Sequence, residues 1–285
     1  MVGVSTLPSP PLEDEVGDVL EKAMRRRRYS AEALGARANV SVFKIRDAID
    51  YRSDLTSEEL QRLAAALELN EVGLCALGCG RYPHPEISAL PFSVWPLRIP
   101  HGIGVANAYI VAEIGTDRAI LFDTGPGIAG LRLVWPAAIK RLDAVFLTHV
   151  EAEHAGGLCE VVEQFRVSQA FIPPGAVAPC GRGLAEGDCQ VFGSLTVTAF
   201  FTPGHAAAHS CYLVRSLVCP RAEALLVSGD LVFAGSIGGA YFCPEQLQVN
   251  LRRMLDLVPP KTVVAPGHGP MTTVENELRF NPFAV

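Results

Sequence analysis

No apolar run in the 285 residues approaches the roughly 18 to 20 needed to span a bilayer, so neither a membrane-spanning helix nor a membrane partner is expected. The N-terminal stretch 5–17 is rich in proline and acid and has no apolar centre of a secretory signal. A cytoplasmic location is the expectation. Positive charge is in deficit: 24 Lys+Arg stand against 30 Asp+Glu, a net charge of -6. The mean field therefore repels nucleic acid and anionic lipid, and any DNA contact must be local. The eight cysteines have irregular spacing and fit reduced thiols that act as small apolar residues. Cys75, Cys79 and His84 are only three candidate ligands, and prolines flank His84, so they read as ordinary structural residues. What the chain has in quantity is apolar side chain, 49% of residues. At this length that supports a full core, in one large domain or a medium domain with a small appendage.

Composition changes near residue 80. The stretch 13–77 is proline-free and rich in Ala, Leu, Arg and Glu at helical spacing, which predicts a small all-α domain over 13–78 behind a disordered tail over 1–12. Gly80, Pro83, Pro85 and Pro91 mark 79–91 as a linker. Beyond it, β-branched and aromatic runs at 107–113, 119–122, 144–147, 195–201, 211–214, 224–227 and 262–265 alternate with turns and amphipathic stretches such as 244–258. This cadence predicts an α/β (α+β) domain over 92–285.

The most informative segment follows the apolar run 144–147: Thr148-His149-Val150-Glu151-Ala152-Glu153-His154-Ala155-Gly156-Gly157. Two imidazoles and two carboxylates within six residues suit a divalent transition ion, and a loop at a strand end can turn alternate side chains toward one centre. An ion-paired surface loop is the competing reading, but the adjoining Ala155-Gly156-Gly157 argues for close backbone packing. Four more residues point the same way. Asp123 closes an apolar run and enters Thr124-Gly125, a position from which it can brace the site. His205 ends Thr202-Pro203-Gly204-His205, Asp230 follows Ser228-Gly229, and His268 follows Pro266-Gly267. The C-terminal ends of strands are where α/β sheets build their sites. One such histidine reads as a core residue and one such aspartate as a turn former, but three repeats of strand, glycine and ligand favour a metal site.

Together these motifs resemble the metallo-β-lactamase-fold hydrolases, and within them the short glyoxalase II-like bacterial branch. The pattern is Thr-His-x-His-x-Asp-His-x-Gly-Gly, then Thr-Pro-Gly-His, Gly-Asp and Pro-Gly-His-Gly-Pro, matched here at 148–157, 202–205, 229–230 and 266–270. The resemblance covers about residues 92 to 285 and implies an αββα sandwich with two divalent ions at the edge between its sheets. By position, His149, Glu151 and His205 hold one ion, Glu153, His154 and His268 hold the other, and Asp230 bridges them. Glu151 stands where the family has its second His and Glu153 where it has Asp, leaving four imidazoles and three carboxylates. More hard oxygen favours iron or manganese relative to zinc, and Glu151 resembles the di-iron members of the superfamily.

The implied chemistry is hydrolysis of a small ester, thioester or phosphoester by a metal-bound hydroxide, because a divalent ion brings the pKa of bound water toward about 7 and polarises the scissile group. Asp230, Glu153 as ligand or general base, and His209 as a substrate-bonding or ligand-supporting group are the catalytic candidates. Ser236-Ile237-Gly238-Gly239-Ala240-Tyr241 stands where the branch has Ser-Ile-Gly-Arg-x-Asp, which weakens the thioester assignment. A di-iron oxidoreductase is the first alternative.

The N-terminal segment carries a second resemblance. The run 34–41, with Ile45, Leu60, Leu63 and Leu67, is similar to the phage-repressor helix-turn-helix, with Asn39 in the left-handed turn and Ser41 capping the recognition helix. That implies DNA as a partner, and a homodimer, with a dimerisation or docking module as the alternative. Ten Lys+Arg against thirteen Asp+Glu over 1–80, and Asp47 and Asp50 beside Lys44 and Arg46, count against a phosphate-binding face. A DNA-binding regulator with a ligand-sensing metallo-β-lactamase-fold domain is the second alternative function.

Overall fold

The computed structural model describes residues 10–102 and 104–285. Most of the expected 1–12 tail therefore lies outside the described residues, whereas Leu12 packs against buried apolar residues. Five helices come first: α1 (Val16–Arg27), α2 (Ala31–Ala38), α3 (Val42–Ile49), α4 (Ser57–Leu67) and α5 (Glu71–Gly78). Their ends follow local chemistry. Glu15 and Asp18 form a reciprocal capping box on α1, Thr56 and Glu59 do the same on α4, and Ser30 accepts from the Ala33 amide on α2. Asn39 closes α2 in the left-handed conformation, at φ 50°. Ser41 occupies the N-cap of α3 but its side chain makes no capping bond, contrary to the sequence expectation.

The remainder has strands β1 (Ser93–His101), β2 (Gly104–Ala112), β3 (Arg118–Phe122), β4 (Arg141–Phe146), β5 (Ala170–Ile172), β6 (Arg182–Gly183), β7 (Cys189–Phe192), β8 (Leu195–Phe201), β9 (Ser210–Ser216), β10 (Leu225–Gly229), β11 (Val263–Pro266) and β12 (Thr272–Thr273). Between them lie α6 (Ile128–Leu133), α7 (Ala152–Ala155), α8 (Leu158–Phe165), α9 (Pro244–Leu257) and α10 (Val274–Phe280). The strands form two six-stranded sheets, ordered β1-β2-β3-β4-β5-β6 and β12-β11-β10-β9-β8-β7. The first is antiparallel through β3 and parallel from β3 to β6, and the second is antiparallel except for the parallel pair β10 and β11.

Alternation along the strands builds the layers. Ile120, Phe122, Ala144 and Phe146 face Leu225, Val227, Val263 and Ala265 across the inter-sheet core. Their neighbours Ala119, Leu121, Val145 and Leu147 turn outward beneath Leu131, Leu158 and Val161 of α6 and α8. On the opposite face, Leu226 and Val264 pack under Leu247, Leu251 and Met254 of α9. This is the expected αββα arrangement.

The helical bundle is fused to that outer layer. Val19, Leu20, Leu34, Leu63 and Leu74 belong to the same buried cluster as Leu251, Val274 and Phe283. Polar bonds cross the junction as well: the Asn70 amide donates to Pro282 O at 2.8 Å, Arg26 Nη1 to Gln248 Oε1 at 2.6 Å, and Lys22 Nζ to Ile237 O at 2.7 Å. Within the 79–91 segment Tyr82 is buried, with its hydroxyl on the carboxylate of Glu277.

Candidate metal centre

Register places the site. Phe122 pairs with Phe146 across the parallel strands β3 and β4, so Asp123 and the loop at 147–151 leave the first sheet side by side. Gly229 pairs with Pro266 across β10 and β11, so Asp230 and Gly267 leave the second sheet at one level. The approach is tight: a Cβ on Gly267 would collide with Asp230 Oδ1 and lie 3.0 Å from His154 Cε1, so only glycine lets the two sheet ends close on each other.

Four imidazoles converge there, and the outer nitrogen of each is already committed. His154 Nδ1 lies 3.2 Å from Asp123 Oδ2, His205 Nδ1 2.8 Å from Gly239 O, and His268 Nδ1 3.0 Å from Val105 O. Thr148 Oγ1 gives its proton to Asp123 Oδ2 at 2.8 Å and so accepts from His149 Nδ1 at 2.9 Å. Each ring thereby keeps its Nδ1 proton on an outer partner, and each Nε2 faces inward, where a bound cation would take its lone pair. Asp230 stands among them, with Oδ1 3.6 Å from His154 Nε2 and Oδ2 3.7 and 3.5 Å from the Nε2 atoms of His205 and His268. Glu151 Oε1 is 3.2 Å from His205 Nε2. The Nε2 atoms of His149 and His205 and Asp230 Oδ1 are buried without a hydrogen-bond partner. Orphaned acceptors at this density are stabilised by a cation.

Ionisation follows from the same crowding. Burial alone raises the Asp230 carboxyl, but the imidazoles of His154 and His268 hold it below the usual carboxylate range. Burial lowers His154, yet Asp230 and Asp123 outweigh it and push the ring up to about 9. His149 is driven well down by burial and by His154.

Two groups of atoms lie close enough to share an ion: His149, Glu151 and His205, and His149, His154 and Asp230. The first is the expected trio. The second differs from expectation: among the described residues it joins His149 and Asp230 to His154, and neither Glu153 nor His268 is in either group. Glu153 faces the Nε2 of His101 at 3.7 Å and lines the cavity above the centre. The reason lies in α7: Glu151 sits at its N-cap and His154 within it, and Glu153 is turned about 100° from His154 by the helical period. His268 is brought in through its Nε2, 3.3 Å from His154 Nε2.

His209 is fully buried and does not line the cavity. Its Nδ1 meets Thr202 Oγ1 at 2.8 Å, and its Nε2 accepts from the Asp230 amide at 3.1 Å. It therefore fixes the backbone of Asp230 from behind, and burial together with His205 pushes it down to about 3, a neutral ring.

The profile of the metallo-beta-lactamase superfamily matches residues 101–268. The chain belongs to that superfamily. It is 31% identical over 211 residues to the probable metallo-hydrolase YqgX of Bacillus subtilis, a match covering 65% of this chain and 95% of YqgX. It is 31% identical over 176 residues to a hydroxyacylglutathione hydrolase-like protein of Gallus gallus, covering 60% of each. Among solved structures it is similar to TTHA1623 in a di-iron-bound form, at 30% identity and a TM-score of 0.52, covering 66% of this chain and 99% of that one. Superfamily membership implies divalent metals, and the inward lone pairs around Asp230 fit them. The helices α1–α5 precede the matched region.

Above the centre opens a cavity of about 340 Å³, whose wall includes Glu151, Glu153, His205, Asp230 and His268. Among the groups that sequence reading missed are His101, which stands beside Glu153, and Glu13, on the cavity wall. His101, at the end of β1, carried no motif. Glu13 reaches to 3.7 Å from His268 Nδ1, across a fold distance that no local pattern announces.

Proposed function

We propose that the chain is a metal-dependent hydrolase of a small ester, thioester or phosphoester, with a dinuclear centre and iron or manganese as resident ions. The observation that carries this reading is the set of four Nδ1–H imidazoles whose Nε2 lone pairs converge on Asp230. His149, Glu151 and His205 would hold one ion, His154 and His268 the other, and Asp230 both. When bound, such ions supply Lewis acidity to the scissile group and acidify water. The protein's own part is geometric and protonic. Asp123 and Thr148 set the tautomers, His209 pins the Asp230 backbone, and Glu153 is placed on the cavity wall to carry a proton between incoming water and leaving group. The Glu151 carboxylate in the first trio, beside Asp230, and a di-iron-bound relative at 30% identity support iron or manganese over zinc.

Several of the bundle's cationic side chains are paired within it. Lys44 Nζ lies 2.6 Å from Glu59 Oε1, Arg46 pairs with Glu32, and Arg52 Nη2 lies 2.7 Å from Asp47 Oδ1. We therefore assign the bundle to the pocket rather than to DNA, and a salt-dependent mobility-shift assay tests that choice. The hydrolase reading is tested by metal analysis together with a panel of carboxylic esters, thioesters and phosphoesters. Turnover of at least one class is expected; a chain holding two ions that cleaves none of them rejects the reading.

A further inference from the structure

We propose that α1 and the turn before it form the substrate-recognition wall of the metal centre, and that this wall selects substrates bearing a positively charged amine or quaternary ammonium group. The inference rests on the hydrolase reading for the bond that is broken, and on the cavity itself for the charge preference.

The cavity over the metal centre has two sides. One is the ring of Glu151, Glu153, His205, Asp230 and His268, and the other is Glu13, Asp14, Asp18, Glu21, Lys22 and Arg25 from the N-terminal segment. Residues 14, 18, 21, 22 and 25 repeat at three and four, so one face of α1 looks into the opening. The cavity is a binding space and not just an acidic surface, because it encloses about 340 Å³ and is lined by the side chain of Asp230, buried to more than nine-tenths and without a hydrogen-bond partner on Oδ1.

Its charge decides what fits. Seven carboxylates and two cationic side chains line it, so two divalent ions still leave the space with one net negative charge. Neither cation is free to receive an anion. Lys22 Nζ is held by Asp14 and by Ile237 O, and Arg25 Nη2 lies 3.5 Å from Glu21 Oε1. Asp18 bonds the Glu15 amide and the Tyr51 hydroxyl, which satisfies its oxygens without cancelling their charge. Glu13 Oε1 lies 3.7 Å from His268 Nδ1, with Asp14, Asp230 and Lys22 also close enough to act on its charge. At the rim, Tyr241 is 70% exposed, with its ring centroid 5.3 Å from that of His205, and offers an aromatic face of the kind that holds ammonium groups. An anionic substrate tail meets uncompensated carboxylates here, and a cationic one meets complementary charge.

The reaction balances with water alone. The acyl carbon loses its bond to the ester oxygen and gains the oxygen of water, one proton of water goes to the leaving alcohol, and an acid and an ammonium alcohol are released.

The test compares benzoylcholine with its uncharged carbon isostere, 3,3-dimethylbutyl benzoate, and with an anionic benzoate ester of glycolic acid, using the metal-loaded full chain. Binding is followed by calorimetry and hydrolysis by product formation. The choline ester is expected to bind at least about tenfold more tightly than the isostere at low salt, and the anionic ester more weakly than either. In Glu13→Gln/Glu21→Gln the preference for the choline ester is expected to fall below about threefold, and in Arg25→Glu, at a half-exposed position, to rise. Equal binding of the charged and neutral esters, tighter binding of the anionic one, or a preference that neither variant moves would overturn the proposal. If the choline ester binds preferentially but is not cleaved, the recognition wall stands, and the hydrolase reading falls if the ester, thioester and phosphoester panel is uncleaved as well.

Discussion

The Nε2 atoms of His154 and His268 face each other at 3.3 Å, although both rings have committed their Nδ1 protons elsewhere. Two lone pairs at that separation repel, so the contact holds either the proton that Asp230 and Asp123 keep on His154 or a metal ion that displaces it. The chain purified without added metal is expected to carry about two transition ions, with iron and manganese at least rivalling zinc. Asp230→Ala is expected to keep the fold, lose most of the metal and lower ester hydrolysis by about 100-fold or more. Elemental analysis and turnover of the same preparations check this, and wild-type activity in the variant would remove Asp230 from the centre.

Chelation should destabilise the protein as well as silence it. An ion present at 100 times its dissociation constant adds about 3 kcal/mol to a folded state that alone binds it. A strong chelator is therefore expected to lower the thermal midpoint by several degrees, and readdition of the ion should restore it. An unchanged midpoint in a chain shown to have lost its metal would mean that the orphaned acceptors are satisfied in some other way.

Glu151 is the sharpest departure from the superfamily pattern, and it sits 3.2 Å from His205 Nε2. Glu151→His replaces a hard anionic oxygen with a neutral nitrogen. Under equal supply of both ions, the zinc-to-iron ratio bound by the variant is expected to exceed that of wild type. An identical ratio would place the Glu151 side chain outside the metal shell.

His209 gives a pH prediction. Its pKa is lowered from 6.5 to about 3 by burial and His205, so below 6.5 the unfolded chain takes up a proton that the folded chain refuses. The stability linked to His209 is therefore full above pH 6.5 and is lost as pH falls toward 3, on the order of 5 kcal/mol in all. His209→Gln keeps hydrogen-bonding capacity without titrating at these pH values. Denaturant midpoints of the metal-stripped proteins should decline less steeply below pH 6.5 in the variant than in wild type. Parallel slopes would show that His209 does not titrate with folding.

Tyr82 tests whether 79–91 behaves as a linker. Its buried hydroxyl meets Glu277, and it accepts from Asn276 Nδ2 at 2.7 Å. Tyr82→Phe leaves those partners short of one group and is expected to cost about 1 to 3 kcal/mol in chemical denaturation. A loss below a few tenths would mark the segment as a passive tether.

Much of the fold was legible because alternation and strand-end glycines are local signals. The runs at 195–201 and 244–258 read directly as β8 and α9. β1 escaped notice because Pro96 and Pro100 interrupt its pattern, and proline is tolerated there only because β1 is the edge of its sheet. At the site, the motif spacing located His149, His205, Asp230 and His268, since each follows a strand end. It did not show that the turn of α7 swings Glu153 toward His101, nor that the charges at 14, 18, 21, 22 and 25 face a cavity. On paper that face is an ordinary solvated helix surface, and its meaning comes only from where α1 docks.

The shared apolar cluster joining α1 to α9 and α10 has a kinetic consequence. A wall seated on a hydrophobic core is preformed, so a ligand loses little entropy in organising it. Entry to the pocket should then be limited by diffusion and charge rather than by a closing motion, and association rates should respond strongly to ionic strength. Selectivity in such a molecule changes by single substitutions on the inward face of one helix, because removing that helix would open the apolar cluster it shares with α9 and α10.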